Sequence, residues 1–205
     1  MRGRPSSIRG EEILDAARDV FREEGHAATT AKIAKRARVS QGILFYRYQS
    51  KEALLAAVIH RETQPPELLR ELVKGAGTRG VVENLERIVD TLLDSVSRAH
   101  PFLELAMTSP TSGEIHKLLF AQTPKPPPQQ IVELLGNYFE AEHHLRRVRA
   151  MDATAAARAI FGACIDYVRS GQAVQDHAGR SAFVRGLVDI VAYGALKTTR
   201  SRQRR

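Results

Sequence analysis

The chain has 205 residues, of which 43% are hydrophobic, so a substantial core can form and disorder throughout the chain is excluded. Its single cysteine, Cys164, excludes an intrachain disulfide framework and a zinc site built from several cysteines, and fits a reducing cytoplasm. The amino terminus lacks an apolar run of signal-peptide length, and no segment approaches the roughly 20 apolar residues of a membrane helix. We therefore expect a cytoplasmic protein with no membrane partner.

The net charge of +8 is concentrated in two segments. Residues 1–51 carry a net charge of +5 and residues 196–205 carry another +5, so the residues between them have a net charge of −2. Positive charge gathered in two segments indicates a polyanionic partner more strongly than uniform surface basicity would. For the tail alone, a solubilising role and a DNA contact stay equal alternatives.

Helical periodicity dominates the chain, without convincing strand-type alternation, and this predicts an all-α fold. A first helix carries an apolar stripe from Ile13 to Phe21 and ends at Gly25, in the position of a helix C-cap. Three more helices follow, each with a residue whose hydroxyl can cap it. These residues are Thr30, Ser40 and Ser50.

Prolines mark the boundaries of the later helices. Pro65-Pro66 must end or bend the fourth helix. A long helix is predicted from about Val81 to Ala99, with Pro101 in the first turn of another. A proline-rich connector at 123–130 precedes a further helix. Two final helices are predicted at about 152–171 and 180–197.

Residues 32–51 contain six Lys or Arg, three aromatic residues and no acid. Two short helices joined by a tight turn, with bases on one side and apolar residues on the other, are the pattern of a helix-turn-helix. A carboxylate on this face would repel phosphate, which explains the missing acids. The apolar positions that would pack the helices together are Ile33, Ala34, Ala37, Val39 and Leu44.

The third helix is short, so its amino-terminal residues would point at base edges. Gln41 can offer a donor and an acceptor to adenine, Ile43 can touch a thymine methyl group, and Gly42 allows close approach of the backbone. Arg47 can reach guanine or a phosphate. The other predicted DNA contacts lie at the starts of the second and fourth helices and on the third: Thr29, Thr30, Lys32, Tyr46 and Lys51.

Residues 13–59 resemble the DNA-binding domain of the TetR/AcrR family of bacterial regulators, with several motifs in the family's order. Two positions depart from the family pattern. Arg38 stands where the family usually has the glycine of the turn, and Phe45 stands where it usually has a phosphate-binding tyrosine. Tyr46, one position further on, can make that contact instead.

We predict a helix-turn-helix DNA-binding domain at 1–51, a larger helical ligand-binding and dimerisation domain at 52–196, joined to it through a connecting helix, and a basic disordered tail at 197–205. The predicted function is a sequence-specific transcriptional regulator, a homodimeric repressor released from a palindromic operator by a small, mostly apolar ligand. An activator of the same family and a non-specific nucleoid-type protein are the alternatives. No phosphate loop, metal-spaced cluster or nucleophile motif indicates an enzyme or a cofactor.

The last two helices fit a dimer surface, because small residues permit close helix approach and apolar residues recur at heptad-like spacing. The resemblance implies that they pair with their mates in a four-helix bundle. In the alternative, the same stripes face the core of the monomer. The predicted interface residues are Ala159, Gly162, Phe183, Leu187, Ile190, Val191 and Gly194.

Ligand binding by the middle of the chain, about 66–150, is implied by the resemblance. Several side chains could line an apolar pocket, although each could also be ordinary core or surface. The candidates are Phe102, Leu105, Met107, Phe120, Tyr138 and Cys164.

Overall fold

The computed structural model describes residues 6–121, 125–171 and 177–193, and every regular element in these ranges is helical. The helices are α1 Ser6–Glu24, α2 Thr30–Arg36, α3 Gln41–Tyr48, α4 Lys51–Glu62, α5 Glu67–Lys74, α6 Val81–Met107, α7 Ser112–Phe120, α8 Pro127–His144, α9 Ala153–Arg169 and α10 His177–Tyr193, with a 3-10 turn at Gly25–Ala27. The predicted all-α fold is confirmed. Among the described helices, none combines the length and the apolar character needed to cross a bilayer.

The chain divides by packing into two compact units. The first unit extends to Pro66 and resumes at Asp94–Ile131, and the second comprises Glu67–Leu93 and the residues from Val132 onwards. This division follows packing and differs from the predicted boundary after residue 51, which divides the chain by function and stays a prediction. The predicted tail at 197–205 lies outside the described residues.

The first unit has a core built from both the amino-terminal helices and the end of α6. One face of each of α1 to α4 contributes to it, together with Phe102, Ala106 and Ile115. Each large apolar side chain buried in this way stabilises the fold by about 1.5–3 kcal/mol. The side chains at 0% exposure in this core are Ile13, Ala17, Ile33, Leu44, Leu54 and Val58.

Hydroxyl caps start the three short helices that follow α1. Thr29, Ser40 and Ser50 each accept the backbone N–H three residues further on, at 3.3, 3.2 and 3.0 Å. The predicted caps at Ser40 and Ser50 are therefore confirmed. The prediction of Thr30 was wrong by one residue, because Thr29 has the extended backbone of a cap and Thr30 is already helical.

Helix α6 runs without a break from Val81 to Met107, where two helices were predicted, and Pro101 lies inside it. An interior proline costs about 3 kcal/mol because it lacks an amide donor and clashes with the preceding turn. Continuing the helix buries Phe102 and Ala106 in the core of the first unit, which offsets much of this cost. The prediction missed this long-range gain.

Two other boundaries differ from the prediction. Helix α8 begins at Pro127, inside the predicted connector, because prolines are tolerated in the first turn of a helix. The short helix α7, Ser112–Phe120, was not predicted. The two final helices are confirmed in number, and the part of the last prediction beyond residue 193 lies outside the described residues.

A buried carboxylate organises one corner of the second unit. Glu142 is fully buried, and its Oε1 accepts the backbone N–H of Gly77 at 3.2 Å while its Oε2 lies 3.3 Å from Nε of Arg147. Tyr138, one turn earlier on α8, has its pKa raised by burial first and by the nearby Glu142 second. Glu142 thus fixes the loop between α5 and α6 to the end of α8.

Candidate nucleic-acid interface

The turn between α2 and α3 is closed by a Schellman motif. The Arg38 N–H donates to the Lys35 carbonyl at 3.2 Å, and the Val39 N–H donates to the Ala34 carbonyl at 3.0 Å. Arg38 has a φ of +55°, in the left-handed region that glycine adopts without steric cost. The turn therefore keeps its geometry with an arginine in place of glycine, at a cost of roughly 1–2 kcal/mol.

Helix α3 has one fully buried residue and exposes most of the others. Leu44 is fully buried, whereas Gln41 and Gly42 are exposed, Ile43 is 41% exposed and Tyr46 is 92% exposed. The exposed side chains offer an amide, a methyl surface and a phenol, the groups that read base edges and contact phosphates. The structure thus brings these four predicted contacts onto the exposed part of one helix.

The aromatic residues of α3 occupy three different environments. Tyr46 is exposed, Phe45 is 43% exposed, and Tyr48 packs against the core of the first unit. Burial is the main cause that raises the pKa of Tyr48. Arg47 is exposed on the same helix, and its guanidinium lies against Gly10 of α1.

Helix α2 presents its cations differently, because α1 supplies acids to them. Lys32 Nζ donates to Glu24 at 2.9 Å, and both terminal nitrogens of Arg36 donate to the carboxylate of Glu23 at 2.7 Å. Hydrogen bonds from Arg36 lower the pKa of Glu23 and raise that of Arg36. The positive charge of residues 32–51 is therefore partly neutralised by acids from another helix. The two glutamates before Gly25 were the sequence feature from which this pairing could have been predicted.

Lys51 lies in the first turn of α4 and donates from Nζ to the His26 carbonyl at 2.8 Å. The His26 ring reaches the end of α6, where its Nε2 lies 3.0 Å from Oγ1 of Thr108. Because the Thr108 hydroxyl donates to the Glu104 carbonyl at 2.8 Å, its oxygen accepts a hydrogen from Nε2. This bond exists in the neutral Nε2–H tautomer and in the imidazolium. Nothing in the sequence indicates that His26 contacts Lys51.

Two predicted DNA contacts are threonines at the start of α2. Thr29 is exposed and Thr30 is half-buried, so the two predicted contacts at the start of α2 differ in accessibility. The hydroxyl of Thr29 is already engaged with the Lys32 amide. The DNA contacts of both threonines stay predictions.

The predicted pocket residues have three kinds of environment. Phe102 lies in the core of the first unit, Tyr138 and Cys164 are fully buried in the second, and Met107 is 76% exposed. Phe120 is also exposed, with its ring 4.5 Å from that of His116. Leu105 lines a cleft of about 510 Å³ with residues of the 3-10 turn and of α4. A pocket formed by these six residues stays a prediction.

The predicted dimer residues lie mostly outside the buried faces of α9 and α10. Ala159, Gly162 and Ile190 are exposed, and Leu187 is half-buried. Phe183 already has a contact within the chain, because its ring stacks on Tyr167 at a centroid distance of 4.1 Å. Val191 lines a cleft, and Gly194 lies outside the described residues. The residues of these helices that face the core are Ala157, Ile160, Phe161, Cys164, Tyr167, Val168, Val184 and Val188.

An all-α chain with a capped helix-turn-helix and an exposed third helix defines the class of helix-turn-helix DNA-binding proteins. Residues 13–58 match the family model described as bacterial regulatory proteins, tetR family. Over 53 residues the chain is 42% identical to the HTH-type transcriptional regulator UidR of Escherichia coli K12, which covers 25% of this chain and 27% of UidR.

A longer match reaches into the body of the chain. Over 106 residues the chain is 31% identical to the HTH-type transcriptional repressor Rv3405c of Mycobacterium tuberculosis, and the match covers 50% of this chain and 54% of that protein. In three dimensions, a Mesorhizobium loti protein described as a TetR-family transcriptional regulator superposes with a TM-score of 0.75 at 15% identity, covering 92% of this chain and 97% of that one.

The chain is therefore similar to the tetR family of bacterial regulatory proteins, through the sequence match at residues 13–58. The matched residues span about a quarter of the length of UidR and about half that of Rv3405c. The structural likeness extends over nearly the whole chain and concerns the fold.

Proposed function

We propose that the protein is a homodimeric transcriptional repressor that binds a palindromic operator through α3 and is released by a small, mostly apolar ligand. Residues 1–51 act as the DNA-binding domain, and residues 52–196 bind the ligand and form the dimer. DNA as the partner makes the cytoplasm its place of action.

The exposed surface of α3 is the observation that carries this proposal. Ile43 and Tyr46 are held outward while Leu44, between them, is fixed in the core. Exposing large apolar side chains on a short helix gives no benefit to folding, but it supplies methyl and ring contacts in a major groove. The caps at Ser40 and Ser50 fix both ends of the segment that carries them.

The dimer is supported by the surface that α9 and α10 leave uncovered. Ile190 is 62% exposed, and Ala159 and Gly162 offer small exposed positions for close approach of a partner helix. One helix-turn-helix reads only a few base pairs, so a second copy is needed for specificity. Repression is supported by the name of the Mycobacterium tuberculosis relative, which is a transcriptional repressor.

Selection from a random duplex library with the full-length protein tests the proposal. We expect enrichment of an inverted repeat whose half-sites are centred about one turn of DNA apart, or more. Enrichment of no sequence, with binding to every duplex at equal strength, would overturn the proposal and favour the nucleoid-type alternative.

Sedimentation at micromolar concentration tests the dimer. We expect a dimer for the wild type and a monomer for Ile190→Lys, because a charge would be buried in the interface without a partner. Leu68→Lys, at an exposed leucine of the second unit, is the control and should stay dimeric. A monomeric wild type would overturn the dimer.

A further inference from the structure

Gly10, in the first part of α1, is buried beneath the side chain of Arg47. A Cβ atom built on Gly10 would lie 2.8 Å from Cζ and 3.2 Å from Nε of Arg47, well inside the ordinary contact distance of about 3.5–4.0 Å. A glycine inside a helix costs about 1 kcal/mol relative to alanine, so its presence calls for a packing reason. The guanidinium lying over the bare backbone supplies that reason.

The neighbours of Arg47 also lie on the side of the first unit that carries α1. Tyr48, the next residue of α3, packs against the core of the first unit. Both residues line a cleft of about 640 Å³ together with Glu11 and Leu14 of α1. The guanidinium of Arg47 therefore rests against α1 at Gly10, and this contact leaves its side chain less conformational freedom to lose when it contacts a ligand.

The space above Gly10 that holds the Arg47 guanidinium, called the slot below, lies beside the exposed residues of α3 that would contact DNA. Arg47 is six residues beyond Gln41, which is about 9 Å along a helix from the residues that would read bases. Amino-terminal residues of a recognition helix enter the groove, and positions towards its end approach the DNA backbone.

We propose that Gly10 is a positioning residue for DNA binding, because its missing side chain opens the slot that holds the Arg47 guanidinium where it contacts a backbone phosphate. This inference rests on the proposed function. It also decides between the two DNA contacts open to Arg47, a guanine or a phosphate, in favour of the phosphate.

A double-mutant cycle tests the inference in the full-length protein. The Kd is measured for a duplex enriched by the wild type and for a scrambled duplex of the same length, at several KCl concentrations. The variants are Gly10→Ala, Arg47→Ala and the double variant. Gly113→Ala is the control, since a Cβ on Gly113 of α7 would have no neighbour within 4 Å.

For Arg47→Ala we expect the Kd to rise roughly tenfold on both duplexes, with the salt slope reduced by about one unit. Gly10→Ala should raise both values roughly threefold, because the arginine keeps its charge but loses its place. In the Arg47→Ala background, Gly10→Ala should have no further effect. The melting temperature of Gly10→Ala should not fall, because alanine favours the helix.

Three results would overturn the inference. Gly10→Ala could bind both duplexes like the wild type, it could lose as much affinity without Arg47 as with it, or either variant could lose discrimination between the duplexes. The last result would make Arg47 a base reader. If the wild type itself enriches no sequence, the proposed function fails, whereas an enriched site with normal binding by Gly10→Ala refutes only the role of Gly10.

Discussion

Helices α2 and α3 are nearly equal in length and pack against each other, yet they use their exposed side chains differently. α2 directs Lys32 and Arg36 to acids at the end of α1, so much of its charge is neutralised within the protein. α3 exposes Ile43 and Tyr46, which contribute contact surface without charge. The cations of α2 thus bind α1 within the protein, whereas α3 keeps Ile43 and Tyr46 exposed for the proposed DNA contacts.

The sharpest way to break this comparison uses the same residue type in each helix. Ile33 of α2 is fully buried and Ile43 of α3 is 41% exposed. We expect Ile33→Ala to lower the free energy of unfolding by about 2–5 kcal/mol through the cavity it leaves. Ile43→Ala should change it by about 0.5 kcal/mol or less. Urea unfolding of both variants measures the difference.

DNA binding by the same two variants completes the test. Ile43→Ala should weaken binding to the selected duplex more than to a scrambled one, because its methyl groups meet bases. A large loss of stability in Ile43→Ala would mean that α3 is held by packing at that position, and the division between the two helices would fail.

The next effect concerns discrimination by α3. Gln41→Ala should reduce the preference for the selected duplex by about 1–3 kcal/mol, because a bidentate contact to a base is lost. Lys32→Ala, on α2, is the matched variant and should change binding to both duplexes by the same small factor, since Lys32 already pairs with Glu24. Competition binding at fixed salt separates the two. Equal loss of discrimination in both variants would refute the comparison.

The fold was predictable where the signal is local. Capping hydroxyls, apolar stripes and Gly25 locate the early helices because each acts within one turn of the chain. Long-range packing explains the largest error: Pro101 stays inside α6 because Phe102 and Ala106 reach the core from there. Hydrophobic gain from a distant segment is not visible in a window around a proline.

The exposed residues of the candidate site could be predicted from the sequence, whereas the hydrogen-bond and ion-pair partners of its cations could not. Gln41, Ile43 and Tyr46 follow from helical spacing around Leu44, which is a local property. The pairing of Lys32 with Glu24, and the bond from Lys51 to the His26 carbonyl, depend on how α1, the 3-10 turn and α4 meet. Side-chain partners across helices are set by tertiary geometry, so the sequence could suggest the cations but not their partners.

The turn between the two helices offers the third test. Arg38→Gly should raise the free energy of unfolding by about 0.5–1 kcal/mol, because relief of the left-handed strain exceeds the added freedom of glycine in the unfolded chain. Arg38→Ala keeps the Cβ atom and should give no gain, so it controls for loss of the guanidinium. Thermal unfolding of the two variants checks this. If alanine stabilises as much as glycine, charge and not backbone strain limits the turn.

The smallest expected effect is that of Glu23→Gln, which tests whether ion pairs with α1 keep the cations of α2 from contacting DNA. In Glu23→Gln the partner of Arg36 loses its charge, and we expect a slight loss of stability at pH 7 that shrinks in high salt, since the pair is exposed. The folded-state pKa of Glu23 is lowered from its usual 4.5, chiefly by hydrogen bonds from Arg36. The pair therefore stabilises the protein above that pH, and its contribution is lost as the pH falls through the lowered value.

The same variant should bind every duplex about twofold more tightly at low salt, without a change in discrimination, because a released guanidinium can reach phosphate. Glu67→Gln removes the same charge from α5 and controls for net charge. If Glu67→Gln tightens binding as much as Glu23→Gln, the gain is a general field effect. A specific gain from Glu23→Gln alone would mean that the acids of α1 stabilise the motif and also keep the charge of α2 from reaching phosphate.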